Sequence, residues 1–317
     1  MTFELFIQNL FNALTVGSLY ALIAIGYTMV YGILRFINFA HGDIFMVGAY
    51  LIFFAVNFFF RVFFGASYES FDMLPWHLAT AVTIAGAAVA ICGSAVLGIT
   101  VDRVAYRPLR EAPRISALIS AIGVSFLLEN LGLVVFTGLP RPAIQPQWMV
   151  APITLGNIRI LPLSFIVPLV TAVLVLGLLW IVYRTRPGLA MRAISRDIET
   201  TRLMGVSIDR IIALTFGLGS ALAAAAGIMW AMRYPQIHPF IGVMPGFKAF
   251  IAAVVGGIGS IQGAVLGGLL LGTVEIMAVA FNPTLSGYRD AFAFVLLIVI
   301  LLFRPTGLMG EKLDDKI

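Results

Sequence analysis

The chain is short of charge, of histidine and of cysteine, and each shortage removes a class of protein. Charged side chains make up 11% of its 317 residues, against about 25% in a soluble domain, so an ordinary soluble enzyme is excluded. A hydrophobic content of 61% excludes disorder as well. The single cysteine, Cys92, rules out a disulfide framework and any thiolate metal cluster. Its place in IAGAAVAICGSAVLGI reads as that of a small packing residue. The three histidines, His41, His77 and His238, are far apart and belong to no HExxH pattern. With no GxSxG elbow either, catalysis has no visible machinery. Lysine and arginine form no tracts interleaved with aromatics, which removes the footprint of a nucleic-acid binder.

What is present is apolar sequence in long runs. Mean hydropathy is +1.02, and a bilayer core of ~30 Å takes about 20 helical residues to cross. Runs of that length fall at Leu10–Ile33, Ile44–Phe64, Leu78–Val101, Ile115–Thr137, Leu163–Tyr183 and Ile211–Met232, with a shorter one at Asp290–Phe303. Between the last two lies Phe247–Phe281, about 35 apolar residues cut by glycines, too long for one crossing and barely enough for two. Barrel strands would alternate in polarity and give no such runs. The fold class is therefore all-α and polytopic, with eight or nine membrane-crossing or part-crossing helices, some broken by glycine. The N-terminal stretch lacks a basic segment and a cleavage site, and reads as the mature start of such a protein.

Arginine supplies most of the net charge of +5 and falls between the runs. Asp102–Arg114 carries Arg103, Arg107, Arg110 and Arg114; Arg184–Arg210 carries Arg184, Arg186, Arg192, Arg196, Arg202 and Arg210. Gly138–Pro162 has only Arg141 and Arg159, and Arg233–Gly246 only Arg233. The positive-inside rule puts the first two loops in the cytoplasm and the others outside. A cytoplasmic tail over Arg304–Ile317 then requires Phe247–Phe281 to begin and end on the outer side, either as two short helices or as a half-helix with a return. Counting back puts the N-terminus outside.

The most polar segment, 184–210, has the pattern of a docking element. Pro187 and Gly188 break the preceding helix, and Ala193, Ile194, Ile198 and Leu203 give Ala190–Met204 a helical apolar stripe that Gly205 stops. Ser207 or Asp209 is placed to cap the next run. A solvated topology loop needs no such stripe, whereas an interface does.

Polar groups also interrupt the membrane runs. Asn38, His41 and Asp43 sit beside Gly42 in INFAHGD; they line a pathway, form an interfacial turn, or make a buried hydrogen-bonded pair. Gly256, Gly257, Gly259 and Gly263 crowd eight residues, but no strand precedes them and no lysine follows, so this is no phosphate loop. It reads as a mid-membrane helix break. Gly263-x3-Gly267 and Gly268-x3-Gly272 provide small faces for close helix packing. Two acids, Glu129 and Glu275, lie inside apolar sequence, Glu275 toward the outer half of its span. Charge pairing is the default for both, with proton coupling the sharper alternative.

Ala193-x3-Asp197-x7-Gly205, about 110 residues from the C-terminus, resembles the coupling loop of ABC-importer permeases. The likeness to the LivH-type branched-chain amino acid permeases runs nearly end to end. It is carried by GSLYALIAIGYTMVYGI (Gly17–Ile33), INFAHGD (Ile37–Asp43), RVAYRPLR (Arg103–Arg110), LISAIG (Leu118–Gly123), DRIIALTF (Asp209–Phe216), GIGSIQGAVLGGLLLG (Gly257–Gly272) and PTGLMG (Pro305–Gly310).

The resemblance implies a single permease domain over residues 1–317 in the bacterial inner membrane, importing leucine, isoleucine and valine. It implies as partners a second related permease, two cytoplasmic ATPase chains and a periplasmic binding protein. This chain would bind no cofactor, since ATP is used by the ATPase chains. Within Arg192–Gly205 the matching positions implied to meet the ATPase are Arg192, Ala193, Arg196, Asp197, Glu199, Arg202 and Gly205. The path is expected near Asn38, His41, Asp43, Gly256, Gly257 and Gly259. Glu275 matches an acidic position of the family, and Glu129 matches none. Related permeases carry urea, short amides or other amino acids, and a stand-alone transporter or channel is the rival from another class.

Overall fold

A computed structural model describes residues 2–65 and 74–310. The tail expected over Arg304–Ile317 is thus covered as far as Gly310, and its acidic residues and two lysines lie outside the described residues. Helices dominate: α1 Phe3–Leu34, α2 His41–Phe64, α3 Trp76–Val101, α4 Arg114–Phe136, a short α5 Gln147–Val150, and α6 Leu163–Arg184. There follow α7 Arg186–Arg196, α8 Ile198–Leu203, α9 Ile208–Arg233, α10 Val243–Gly256, α11 Ile261–Phe281 and α12 Arg289–Phe303. A π-turn, Asp102–Tyr106, and a 3₁₀ turn, Arg107–Leu109, extend α3. Two antiparallel ribbons lie outside the bundle: β1 Arg141–Pro142 with β4 Gln236–Ile237, and β2 Ile153–Leu155 with β3 Ile158–Ile160.

Among the described residues eight helical stretches are long and apolar enough to cross a bilayer, α3 counted with its extension to Leu109 and α12 with the turn from Pro283. α10, with 14 residues, reaches only about 21 Å at 1.5 Å per residue and cannot. Helix ends sort into two groups. Asn157 donates to Glu4 at 3.1 Å, joining the start of α1 to the arginine-poor 138–162 loop. Arg35, just past α1, reaches the Ser195 carbonyl of α7 at 3.5 Å. The positive-inside rule assigns the arginine-rich end to the cytoplasm and, with it, the start of α1 to the outer end. The chain comes in from the outer end to the start of α10 and α11 returns outward, which is the half-helix and return.

α1 is buried from Thr15 to Val30, with its first ten residues more open, while α4, α6 and α12 are mostly exposed apolar surface. The centre forms because small residues let backbones touch. A Cβ on Gly268 would stand 2.6 Å from Ala21 Cα, and one on Gly272 would overlap Gly17. The opposite small face, Gly263 and Gly267, meets Gly256 and Ala252 of α10 in the same way. α11 is therefore seated between α1 and α10 through two separate glycine faces.

The glycine-rich interruption lies elsewhere than the sequence suggests. Gly257 and Gly259 have φ of 106° and 101°, values that favour glycine, but they stand at the cytoplasmic end, beside Gly32 in the last turn of α1. There the tail caps α10: Leu308 and Met309 amides donate to the Val255 and Gly256 carbonyls at 2.9 and 2.8 Å. Those carbonyls are among the orphans every helix end must satisfy.

The mid-depth break falls at the other end of α10. A Cβ on Gly42 would meet the Gly242 carbonyl at 2.8 Å, so the beginnings of α2 and α10 touch back to back. Segment 35–40 approaches this point from the cytoplasmic end and segment 234–242 from the outer end. The single cysteine also departs from expectation: Cys92 is exposed on α3 rather than packed inside.

Candidate functional site

Depth is set by Ser125, which lies eleven residues from either end of α4. Its hydroxyl donates to Asp43 Oδ2 at 2.5 Å, so Asp43 is at mid-membrane. Gly26 and His41 are in the same layer: Gly26 packs on Gly219, eleven residues into α9, and a Cβ on Gly26 would overlap the His41 ring. His41 and Asp43 are 1% and 3% exposed. They make no interfacial turn, and they are not paired to one another. His41 lies edge-on to Tyr27 with centroids 4.8 Å apart, and its Nε2 has no hydrogen-bond partner among the described residues. Asn38 is also buried and accepts from Tyr106 Oη at 2.6 Å.

Glu129 is one helical turn beyond Ser125, on the same face of α4. It is half-buried rather than buried, with neither hydrogen bond nor ion pair among the described residues. The expected pairing is therefore absent there. Gly256, Gly257 and Gly259 are not gathered with these groups; they seat the tail at the cytoplasmic end.

Glu275 is paired. Lys248 Nζ donates to its Oε1 at 2.9 Å and Tyr20 Oη to its Oε2 at 2.9 Å, all three buried. Lys248 also holds Asp290 at the start of α12 at 2.8 Å. The cluster joins α1, α10, α11 and α12. Lys248 is concealed in the sequence as one cation in an apolar run.

The cytoplasmic loop is two helices, not one. Thr185 Oγ1 accepts the Gly188 amide at 3.3 Å and starts α7, so the break is at Thr185 and Pro187 lies inside the first turn, where its missing N–H costs nothing. The expected helix over Ala190–Met204 is interrupted at Asp197, whose φ and ψ of −156° and 110° are extended. Asp197 Oδ1 accepts the Glu199 and Thr200 amides at 2.9 and 3.1 Å, and Oδ2 the Thr200 hydroxyl at 2.6 Å. It is the cap that begins α8.

The apolar stripe is consequently split. Met191 and Ile194 are buried against the bundle, Ala193 and Ile198 half-buried, and Leu203 and Met204 are 87% and 79% exposed. Arg192, Arg196, Glu199, Arg202 and Gly205 share the exposed side, with Arg192 5.4 Å from the Tyr183 ring. Gly205 ends α8 with φ of 79°. Ser207 precedes α9 but makes no side-chain cap bond.

Asp209 has a role its sequence position conceals. It takes Arg107 Nη2 at 2.5 Å and Arg110 Nη1 at 2.6 Å. Arg110 Nη2 reaches the buried Asp102 at 2.7 Å. The loop's exit is thereby tied to the π-turn after α3. RVAYRPLR and DRIIALTF hold both halves of this link, but their spatial pairing across about a hundred residues is invisible in one sequence.

A profile of the family described as "Branched-chain amino acid transport system / permease component" matches residues 9–301. The chain is 42% identical to the high-affinity branched-chain amino acid transport system permease protein BraD of Pseudomonas aeruginosa, covering 98% of each chain. It is 41% identical to the corresponding LivH protein of Escherichia coli K12, over 99% of each. The xylose transport system permease protein XylH of E. coli K12 is 29% identical over 58% of this chain and 56% of that one. With this likeness and eight bilayer-length helices, the chain is a multi-pass inner-membrane transport subunit, not an enzyme, and belongs to the family of branched-chain amino acid transport permeases.

Proposed function

We propose that the chain is the membrane-spanning half of an ABC importer of leucine, isoleucine and valine, a single permease domain paired with a second related permease. Two cytoplasmic ATPase chains hydrolyse ATP, and a periplasmic binding protein delivers the solute. The observation that carries this reading is the exposed α7–α8 elbow, where Leu203 and Met204 stand open in a segment whose Arg192, Arg196, Glu199 and Arg202 are also exposed. Exposed apolar residues in a charged segment suit a docking face, and Met191 and Ile194 root it in the bundle. Arg192–Gly205 then moves as a rigid body when the ATPases close, shifting the bundle between outward- and inward-open states.

The path runs past Asn38, His41 and Asp43, with Glu129 on the facing helix. Acidic groups at mid-depth attract the ammonium end of a zwitterion, and apolar walls suit an aliphatic side chain. The glycines Gly256, Gly257 and Gly259 serve α10 and the tail rather than the solute.

The likeness to a permease named for xylose supports placing solute choice in the binding protein rather than in this scaffold. The experiment is uptake into liposomes holding the complete transporter, with the binding protein outside and ATP inside. Radiolabelled leucine accumulates and urea and xylose do not. Accumulation without ATP makes the chain a stand-alone transporter instead.

A further inference from the structure

Segment 35–40 is the short non-helical link between the cytoplasmic end of α1 and the mid-depth start of α2, and it is gripped from both ends. At its start Arg35 closes α1 with φ of 56°, a region that disfavours side chains other than glycine, asparagine and aspartate. The Arg35 guanidinium reaches the Ser195 carbonyl in the last turn of α7 at 3.5 Å. Farther along, Asn38 Oδ1 accepts Tyr106 Oη at 2.6 Å, with both side chains buried. The Tyr106 ring is edge-on to Phe36 with centroids 5.1 Å apart and tilted against Phe216 of α9 at 5.4 Å.

Tyr106 is the last residue of the π-turn Asp102–Tyr106, a geometry that recurs where helices serve function. The base of that turn is fixed by Arg110, which bridges Asp102 and Asp209. Asp209 is in the first turn of α9, four residues after Gly205. At the inner end, the Asn38 carbonyl accepts the His41 amide at 3.1 Å, and Asp43 follows within the same turn. Polar contacts, joined between Asp102 and Tyr106 by the backbone of the π-turn, therefore run from the exit of the α7–α8 loop to mid-membrane.

We propose that Tyr106 is a positioning residue for transport. It transmits displacement of the α7–α8 loop, received through Asp209 and Arg110, to Asn38 and so to His41 and Asp43, with Arg35 as the second grip on the same segment. The inference rests on the proposed coupling of this loop to an ATPase. It adds the internal route by which that motion reaches the path. Coupling networks of this kind need a direct measurement of coupling rather than proximity alone.

The experiment uses the complete transporter in liposomes with its binding protein, recording leucine uptake and phosphate release on the same sample. Tyr106→Phe removes only the hydroxyl. Its ATP hydrolysis remains at the wild-type rate, and leucine moved per ATP falls by about 2- to 30-fold, the range of coupling effects along such networks. Arg110→Lys, which keeps the charge but cannot bridge two carboxylates as a planar fork does, lowers the same ratio. An unchanged ratio in both variants overturns the proposal, as does a proportional fall in uptake and hydrolysis, the mark of a merely structural role. If the wild-type complex shows no ATP-dependent uptake, the failure belongs to the ATPase reading itself and not to Tyr106.

Discussion

Lys248 of α10 and Glu275 of α11 form a buried ion pair at 2.9 Å, with Tyr20 of α1 donating to the second carboxylate oxygen. Removing one member of such a pair leaves an uncompensated charge and costs about 3–5 kcal/mol, whereas an apolar or neutral replacement of both is far milder. Lys248→Ala therefore destabilises the folded protein strongly, and Lys248→Met with Glu275→Gln recovers most of the loss. Thermal unfolding in detergent, followed by the loss of monodisperse protein, measures both. The pairing makes Glu275 a strut between α1, α10 and α11, which Lys248 extends to Asp290 of α12.

The α1–α11 contact gives a second prediction. No Cβ fits at Gly268 or Gly272 without moving the backbone at Ala21 or Gly17, and overpacking costs about 1–3 kcal/mol or more where nothing can yield. Gly268→Val and Gly272→Val each reduce the yield of folded protein, while Gly177→Val, with open space around it, does not. Gel filtration of detergent extracts distinguishes them.

In the cytoplasmic loop, Gly205 has open space for a side chain but a φ of 79°. Gly205→Val strains the backbone there by about 1–3 kcal/mol and re-aims the α8 tip. Asp197→Ala removes the α8 cap, worth about 1 kcal/mol. Both variants insert into the membrane normally and lose ATP-driven uptake, which parallel assays of membrane content and transport check.

Asp43→Asn keeps the shape of the side chain and its contact with Ser125 while removing the charge at mid-depth. On the proposed path this lowers leucine uptake about tenfold, equivalent to about 1.4 kcal/mol. Ser125→Ala has a smaller effect, because the carboxylate remains. Initial uptake rates at fixed ATP compare the two.

These residues also mark how far the sequence could be read. The paired glycine faces of α11 were legible because helical spacing alone decides which glycines share a side. The break at Asp197 was not, because apolar spacing continues through it and only the local bonds from Asp197 to Glu199 and Thr200 divide the helix. The glycine run at 256–263 reads as the mid-depth break, yet the chain places it at Gly242, where contact with Gly42 depends on a residue two hundred positions away. Arg110 with Asp209, and Lys248 with Glu275, are likewise tertiary pairings that no local pattern encodes.

The central claim, that separate ATPases drive this chain through the α7–α8 elbow, is tested most directly by purifying it from detergent-solubilised native membranes and identifying its companions. The account predicts recovery of two ATPase chains and a second permease, all lost when Leu203 and Met204 are both changed to Asp except the permease. Recovery of the chain alone, still moving leucine in ATP-free liposomes, contradicts it.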